Sequence, residues 1–234
     1  MKKNDSKKAV ILYGSPGSGK GTQADLLVRR KDFIHFDTGR YVERLYRSPE
    51  AKTDPILKKE KKLFDTGFLN TPSWILGIVK RETIKIAKAG FSIVYSGSPR
   101  TMYEAFGDKK EKGLVETLGK LYGKENIVVI YLIIKEGTTL VRNSVRRVCS
   151  VCGLSILGKS KTSRCPFCDG LPRKRTLDDP KIIGMRLKEF HNRTKPILKK
   201  LKKQGYRIIK IDGERAPYLV HESVLRVVEA TRKK

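Results

Sequence analysis

Ala9-Val10-Ile11-Leu12-Tyr13 runs without a break into Gly14-Ser15-Pro16-Gly17-Ser18-Gly19-Lys20-Gly21-Thr22. A short apolar run bounded by glycine reads as a buried strand, and the stretch from Thr22 to Arg30 reads as a helix. The segment between them carries the Gly-x4-Gly-Lys pattern of a phosphate-binding loop. Its glycines let backbone N–H groups close around phosphate oxygens, while Lys20 reaches the β and γ phosphates. The helix that follows turns its positive end toward the anion. Gly17, Ser18, Gly19, Lys20, Gly21 and Thr22 are therefore the expected nucleotide contacts, with the Thr22 hydroxyl near the Mg²⁺ that accompanies the phosphates. One detail departs from the general pattern: Gly21 follows the lysine where Ser or Thr is usual.

Outward from this loop, short apolar runs alternate with longer amphipathic ones, the signature of a parallel sheet covered by helices. Strands are expected at 9–13, 33–36, 91–95, 127–134 and 206–211. Helices are expected at 38–47, 53–64, 73–89, 137–147, 181–203 and 216–232. The fold class is α/β: a P-loop three-layer fold with a five-stranded parallel sheet, whose carboxyl ends gather the functional loops on one edge. Residues 1–37, 73–147 and 178–234 form the core. Two insertions interrupt it as candidate mobile elements, a helical one at 38–72 and a cysteine-bearing one at 148–177.

The chain has 234 residues, enough for one full core. No apolar run approaches membrane-spanning length, and the Lys-rich start lacks the apolar segment of a signal peptide. A soluble, cytoplasmic protein with no membrane partner is expected. Lys and Arg number 52 against 24 acidic residues, a formal charge of +28. Such a field steers nucleotides and also holds nucleic acid through non-specific phosphate contacts. Runs such as Lys58-Lys59-Glu60-Lys61-Lys62 and Lys199-Lys200-Leu201-Lys202-Lys203 fall at spacings that suit solvated helix faces.

Cys149-x2-Cys152 and Cys165-x2-Cys168 are separated by twelve residues. Four thiolates at such spacing fit a tetrahedral structural Zn²⁺ site, although the loop is slightly shorter than the usual separation of about 15 to 20 residues. Disulfides are the alternative, and a reducing compartment disfavours them. With every ligand from protein there is no open position for catalysis, so the ion's role is to fold an excursion too small for its own core.

Several arginines lie at loop and insertion edges: Arg100 in Gly97-Ser98-Pro99-Arg100-Thr101, Arg142 and Arg146 at i and i+4 on an expected helix face, and Arg175 and Arg186 beyond the cysteines. In a chain this basic a lone arginine is usually a surface one. Together with the loop and the cysteine pairs, however, they resemble the adenylate kinase family of nucleoside monophosphate kinases, over residues 10–228. The resemblance implies reversible transfer of the ATP γ-phosphoryl group to AMP, a monophosphate-binding role for 38–72, a zinc-bound lid at 148–177 and a monomer. By its motifs Arg100 grips the monophosphate, Arg142 stacks on the ATP adenine, Arg146 contacts phosphates, and Arg175 and Arg186 close the site. Gly213 and Arg215 in Asp212-Gly213-Glu214-Arg215 lie against the ATP base. Thr38, Gly39, Arg40, Arg44, Phe68, Leu69, Asn70, Gly97, Ser98, Pro99 and Glu104 face the acceptor. A phosphate acceptor is already an anion, so no general base is required. His35 reads as structural, and His191 and His221 read as surface helix residues.

Four positions depart from the family pattern. Ser96 stands where an aspartate orders water on Mg²⁺. Arg40 and Glu43 exchange the charges of an acid–arginine pair, and being three apart on a helix they are expected to pair with each other. Asn70 replaces a valine. Glu104 replaces a glutamine that pairs with adenine, and ionised Glu only accepts hydrogen bonds, which suits guanine better. A kinase for GMP, CMP or UMP, a slow degenerate kinase, and a nucleic-acid-binding P-loop ATPase with a zinc knuckle remain as alternatives. Asp37, ending the strand expected beside Ser96, is a candidate to replace the missing carboxylate. On that reading Asp37→Ala is expected to raise the Mg²⁺ concentration that supports half-maximal rate; an unchanged metal titration removes Asp37 from the role.

Overall fold

The structure is a computed structural model that describes residues 7–158, 160 and 162–230. The outer ends of the first and last core segments, and with them Arg232 of the expected last helix, lie outside the described residues. Five parallel strands form the central sheet: β1 (Ala9–Tyr13), β2 (Phe33–Phe36), β3 (Ser92–Tyr95), β4 (Ile127–Ile133) and, near the end of the chain, β8 (Ile208–Asp212), in the order β2-β3-β1-β4-β8. All five residues of β1 are buried because helices cover both faces of the sheet. Period-2 alternation sends Ala9, Ile11 and Tyr13 to one layer and Val10 and Leu12 to the other. The first layer is closed by α4 (Pro72–Lys88), α6 (Leu114–Tyr122) and α9 (Lys195–Lys203). The second is closed by α1 (Lys20–Arg30) and α10 (Pro217–Ala230), through Ala24, Leu27, Val220, Val224 and Val228. Lys8 is buried and donates from Nζ to the carbonyl of Val228 at 2.6 Å, which ties the start of β1 to the end of α10.

The chain leaves β1 toward β2 on one side, while β4 lies on the other, so the carboxyl ends of β1 and β3 flank the crevice where the topology switches direction. Between β2 and α4 come α2 (Thr38–Leu45), a 3₁₀ turn (Pro49–Lys52) and α3 (Pro55–Asp65). After β4, α7 (Glu136–Ser144) leads into a small antiparallel sheet in which β5 (Arg147–Cys149) lies between β6 (Ser155–Ile156) and β7 (Pro172–Arg173). Among the described residues no helix is long and apolar enough to cross a membrane.

Several sequence-based expectations need correction. The helix expected over 137–147 stops at Ser144, because Ser144 and Val145 are weak helix formers and Arg147 already pairs with Ile156 in the small sheet. Arg142 and Arg146 therefore do not share a helix face. The helix expected over 181–203 is two, α8 (Pro180–Glu189) and α9, joined by a wider π turn at Phe190–Thr194. Pro196 in the first turn of α9 has no N–H to continue the regular ladder. The 38–47 helix ends at Leu45. The strand expected at 206–211 shifts to Ile208–Asp212, with Tyr206 in the connecting turn. Two helices were not anticipated: α6 and the short α5 (Met102–Phe106). His221 is buried rather than exposed, with Nδ1 3.2 Å from the Gln23 side-chain oxygen, and burial lowers its pKa.

Candidate functional site

The loop after β1 takes the shape its glycines permit. Gly14 sits at φ +152, and a Cβ there would meet the Leu132 carbonyl oxygen at 2.7 Å, so no larger residue fits between β1 and β4. Gly19 caps α1 at φ +91 with no side-chain hydrogen bond to the helix, leaving the first N–H groups of α1 free for an anion. Lys20 folds back over the loop and donates to the carbonyls of Gly14 and Ser15 at 2.6 and 2.9 Å. Burial lowers its proton affinity, and Arg100, Arg186 and Arg146 lower it further. Arg186 is lowered in the same way, by burial first and then by Arg100, Arg175 and Arg146. Cations crowded in a buried cleft suit a polyanion that enters from outside.

One cleft gathers most of the expected site residues. Gly17, Gly19, Lys20, Gly21, Thr22, Thr38, Gly39, Arg40, Phe68, Leu69, Asn70, Gly97, Ser98, Pro99, Arg100, Glu104, Arg146, Arg175 and Arg186 all line it. Ser18, Arg44, Arg142, Gly213 and Arg215 do not. Arg142 instead donates to the carbonyls of Gly213 and Glu214 at 2.8 and 3.1 Å, joining α7 to the turn after β8. Arg44 lies over the Tyr41 ring on the outer side of α2. The donor set fits a nucleoside polyphosphate with a hard divalent cation: a loop of N–H groups, five buried or half-buried cations, and the Thr22, Ser96 and Asp37 oxygens in the same cleft.

The arginines of the cleft are held by a few carboxylates. Arg146 makes a two-pronged pair with Asp178, its Nε 2.8 Å from Oδ2 and its Nη2 on Oδ1, and Asp178 also faces Arg186 at 3.8 Å. The expected Arg40–Glu43 pair does not form. Arg40 turns to Asp25 at 3.3 Å and Asp37 at 3.4 Å, whereas Glu43 faces Arg47, Arg173 and Arg175 at 3.2, 3.6 and 3.9 Å. Each keeps a local partner, Arg40 with Asp37 and Glu43 with Arg47, and each gains an opposite charge from another element, Asp25 for Arg40 and Arg173 with Arg175 for Glu43. Arg40 also donates to the Gly153 carbonyl at 3.2 Å, so segment 148–177 meets α2 across the cleft mouth.

The two acceptor-side departures have structural explanations. The Asn70 amide nitrogen donates to the Tyr46 hydroxyl, the Glu60 carbonyl and the Glu60 carboxylate at 2.7, 2.7 and 3.0 Å, locking the entry to α4. Glu104 forms a capping box with Thr101 at the start of α5. Thr101 Oγ1 accepts from the Glu104 N–H at 3.1 Å, while the carboxylate accepts from the Arg100 N–H at 2.8 Å and from the Thr101 hydroxyl at 3.0 Å. Burial lifts the Glu104 pKa, opposed by these hydrogen bonds.

The four cysteines also converge. All four sulfurs lie within 4.8 Å of one another, with Cys149–Cys168 and Cys152–Cys165 at 3.4 and 3.7 Å. Zn–S bonds of about 2.3 Å in a tetrahedron put the sulfurs about 3.8 Å apart. In both Cys-x2-Cys turns backbone N–H groups point at the first sulfur, from Val151 and Cys152 to Cys149 and from Phe167 to Cys165. The residue after each second cysteine is left-handed, Gly153 at φ 70 and Asp169 at φ 58.

Sequence reasoning missed the role of Asp178, and it missed the contacts of His35, which bonds Asp25 and Ser96 at 2.7 Å each. Strand parity would have signalled the second contact, since His35 and Ser96 fall on the same face of adjacent strands.

No family model matches the chain. Among curated proteins it is 31% identical over 224 residues to the adenylate kinase of Pelobacter propionicus, covering 94% of this chain and 96% of that protein. It is 31% identical over 205 residues to the adenylate kinase of Caldicellulosiruptor bescii, covering 86% and 89%. It is 29% identical over 213 residues to that of Acetivibrio thermocellus, covering 88% and 90%.

Asp178→Ala strands Arg146 and Arg186 beside each other in a buried site. The expected cost is about 3–5 kcal/mol of unfolding free energy in urea. A saturating nucleotide polyphosphate, whose charge takes the carboxylate's place, is expected to recover most of that loss.

Proposed function

The chain belongs to the adenylate kinase family, phosphotransferases that act on nucleoside monophosphates, and on that footing we propose that it moves the γ-phosphoryl group of ATP reversibly to AMP, giving two ADP. The observation that carries the reading is the convergence of Lys20, Arg100, Arg146, Arg175 and Arg186 on one cleft above the phosphate-binding loop. An oxygen of the acceptor phosphate attacks the γ-phosphorus, the bond to the β–γ bridging oxygen breaks, and that oxygen leaves on ADP. Charge spreads over the equatorial oxygens of the transferred group, and positioned cations are what the protein must supply. Lys20 and Arg146 serve the donor phosphates, Arg100 holds the acceptor phosphate, and Arg175 and Arg186 bridge the two. Mg²⁺, when bound with ATP, neutralises charge on the β and γ phosphates.

Segments 38–72 and 148–177 act as the closing elements over the acceptor and donor sides. Their meeting points, Arg40 with the Gly153 carbonyl and Glu43 with Arg173, lie where closure excludes water and prevents wasteful ATP hydrolysis. Zn²⁺ bound by Cys149, Cys152, Cys165 and Cys168 gives the second segment its shape.

AMP is favoured as the acceptor over GMP despite Glu104. The Glu104 carboxylate already accepts from the Arg100 N–H and the Thr101 hydroxyl at the start of α5, so it is committed to that turn rather than held free for the N–H donors of guanine. At fixed ATP, kcat/KM is expected to be highest for AMP among AMP, GMP, CMP and UMP. A preference for GMP would reassign the acceptor without touching the donor site. Removing zinc with a chelator is expected to speed proteolysis within 148–177 and lower kcat, while the far-ultraviolet dichroism of the core stays nearly constant.

A further inference from the structure

The outer side of α9 and the edge strand β8 beside it form a surface of one sign. Ile197, Leu198 and Leu201 face the core, so the helical period sends Lys199, Lys202 and Lys203 together to solvent, and all three are exposed. The chain then turns at Tyr206 into β8, which closes one side of the sheet. Ile208 packs into the layer that α9 closes and Ile209 into the other, so alternation puts Lys210 on the α9 side of that edge. Arg207, just before the strand, is exposed as well. From Phe190 to Ile211 the sequence holds no carboxylate, and among the described residues none of these five cations makes an ion pair.

Two further lysines are held on the same surface without being neutralised. Lys200 lies over the Phe106 ring of α5, 4.4 Å from its centre. Lys124, in the turn before β4, lies 5.2 Å from the centre of the Tyr206 ring and donates from Nζ to the Gln204 carbonyl at 2.8 Å. A ring face and a carbonyl fix an ammonium in place and leave its charge whole, whereas a carboxylate cancels it. Lysines on α4 and around α6 are treated the other way: Lys80 pairs with Glu111, Lys85 with Glu82, and Lys112 and Lys120 with Glu116.

We propose that this face binds nucleic acid through its backbone phosphates, without selecting bases. The proposal is independent of the phosphoryl-transfer reading, since none of the seven side chains lines the nucleotide cleft. A duplex carries about one phosphate charge per 1.7 Å of its axis, and α9 spans about 13 Å, so a duplex lying along it sets several phosphates against the lysines. Base stacking is closed to this surface, because the Phe106 and Tyr206 rings lie beneath lysines. A phospholipid surface fits it poorly: no large apolar side chain from Lys195 to Lys210 is exposed to enter the acyl boundary.

Fluorescence anisotropy of a labelled DNA duplex of about 20 base pairs, titrated with the full chain at several salt concentrations, tests the proposal. Affinity should be the same for unrelated sequences and should fall with salt with a log–log slope of about −4. Combining Lys199→Glu, Lys202→Glu and Lys203→Glu should weaken binding at least about tenfold at roughly 100 mM salt, and the corresponding glutamine variant should flatten the slope by about 2 to 3. Lys58→Glu, Lys59→Glu and Lys62→Glu on α3 remove the same net charge and should leave the affinity within about threefold of the wild type. A saturating non-hydrolysable ATP analogue should likewise leave duplex binding intact. Arg207→Gln with Lys210→Gln provides a second route should the α9 variants not fold, as read by far-ultraviolet dichroism, with a smaller loss in the same direction. Equal losses in the α9 and α3 variants would make binding a property of net charge alone and overturn the proposal. Displacement of the duplex by the ATP analogue would place it in the cleft and overturn it too. So would a wild-type chain that ignores the duplex, whether or not it binds vesicles containing phosphatidylserine.

Discussion

Repulsion among cations is the constraint around which the cleft is organised. Lys20, Arg100, Arg146, Arg175 and Arg186 share one cleft, where burial lowers the proton affinity of Lys20, Arg175 and Arg186 and the neighbouring arginines lower it further. A compact fold tolerates this only if counter-charges stand in until the ligand arrives, or if rigid elements hold the groups despite it. The protein does both. The loop glycines and the buried strands fix Lys20 and Arg100, while Asp178 and Glu43 hold the more distant arginines. A phosphate group entering the cleft would relieve that repulsion.

The same constraint accounts for the altered charges on α2. A glutamate at position 43 faces two arginines that come from the far side of the cysteine segment. Arg40, three residues before it, is drawn down to Asp25 and Asp37 at the sheet edge. Reversing the two signs therefore did not produce a mirrored local pair. Arg40 reaches Asp25 and Asp37 and also the Gly153 carbonyl, while Glu43 reaches Arg173 and Arg175, so both ends of the former pair tie α2 to other elements.

How much of this could be read from the chain depended on how far apart the deciding contacts lay. The β1–loop–α1 unit is local, and every residue from Ala9 to Thr22 argues for it. The five strands were legible because a buried parallel strand is apolar on both faces, and the four cysteines because their spacing is itself a pattern. The two-residue strands β6 and β7 were not legible: they exist because the cysteine turns bring Ile156 and Pro172 beside β5, and no propensity reports that. Arg146 looked like part of a helix because its spacing from Arg142 is right, but the helix ends before it. His35 and His221 were judged one residue at a time. Their environments are set by partners ten or more residues away, Asp25 and Ser96 for the first and Gln23 for the second. The line from Asp25 to Ser96 needs a helix and two strands at once, and only strand parity hinted at half of it.

The bond from Lys8 to the carbonyl of Val228 has a mechanical consequence. It places the beginning of the central strand and the end of the last helix within one side chain's reach, on the layer away from the acceptor-side helices. Because α10 packs along α1, the helix that leaves the phosphate-binding loop, this clasp also steadies the element behind that loop from the face opposite the acceptor-side helices.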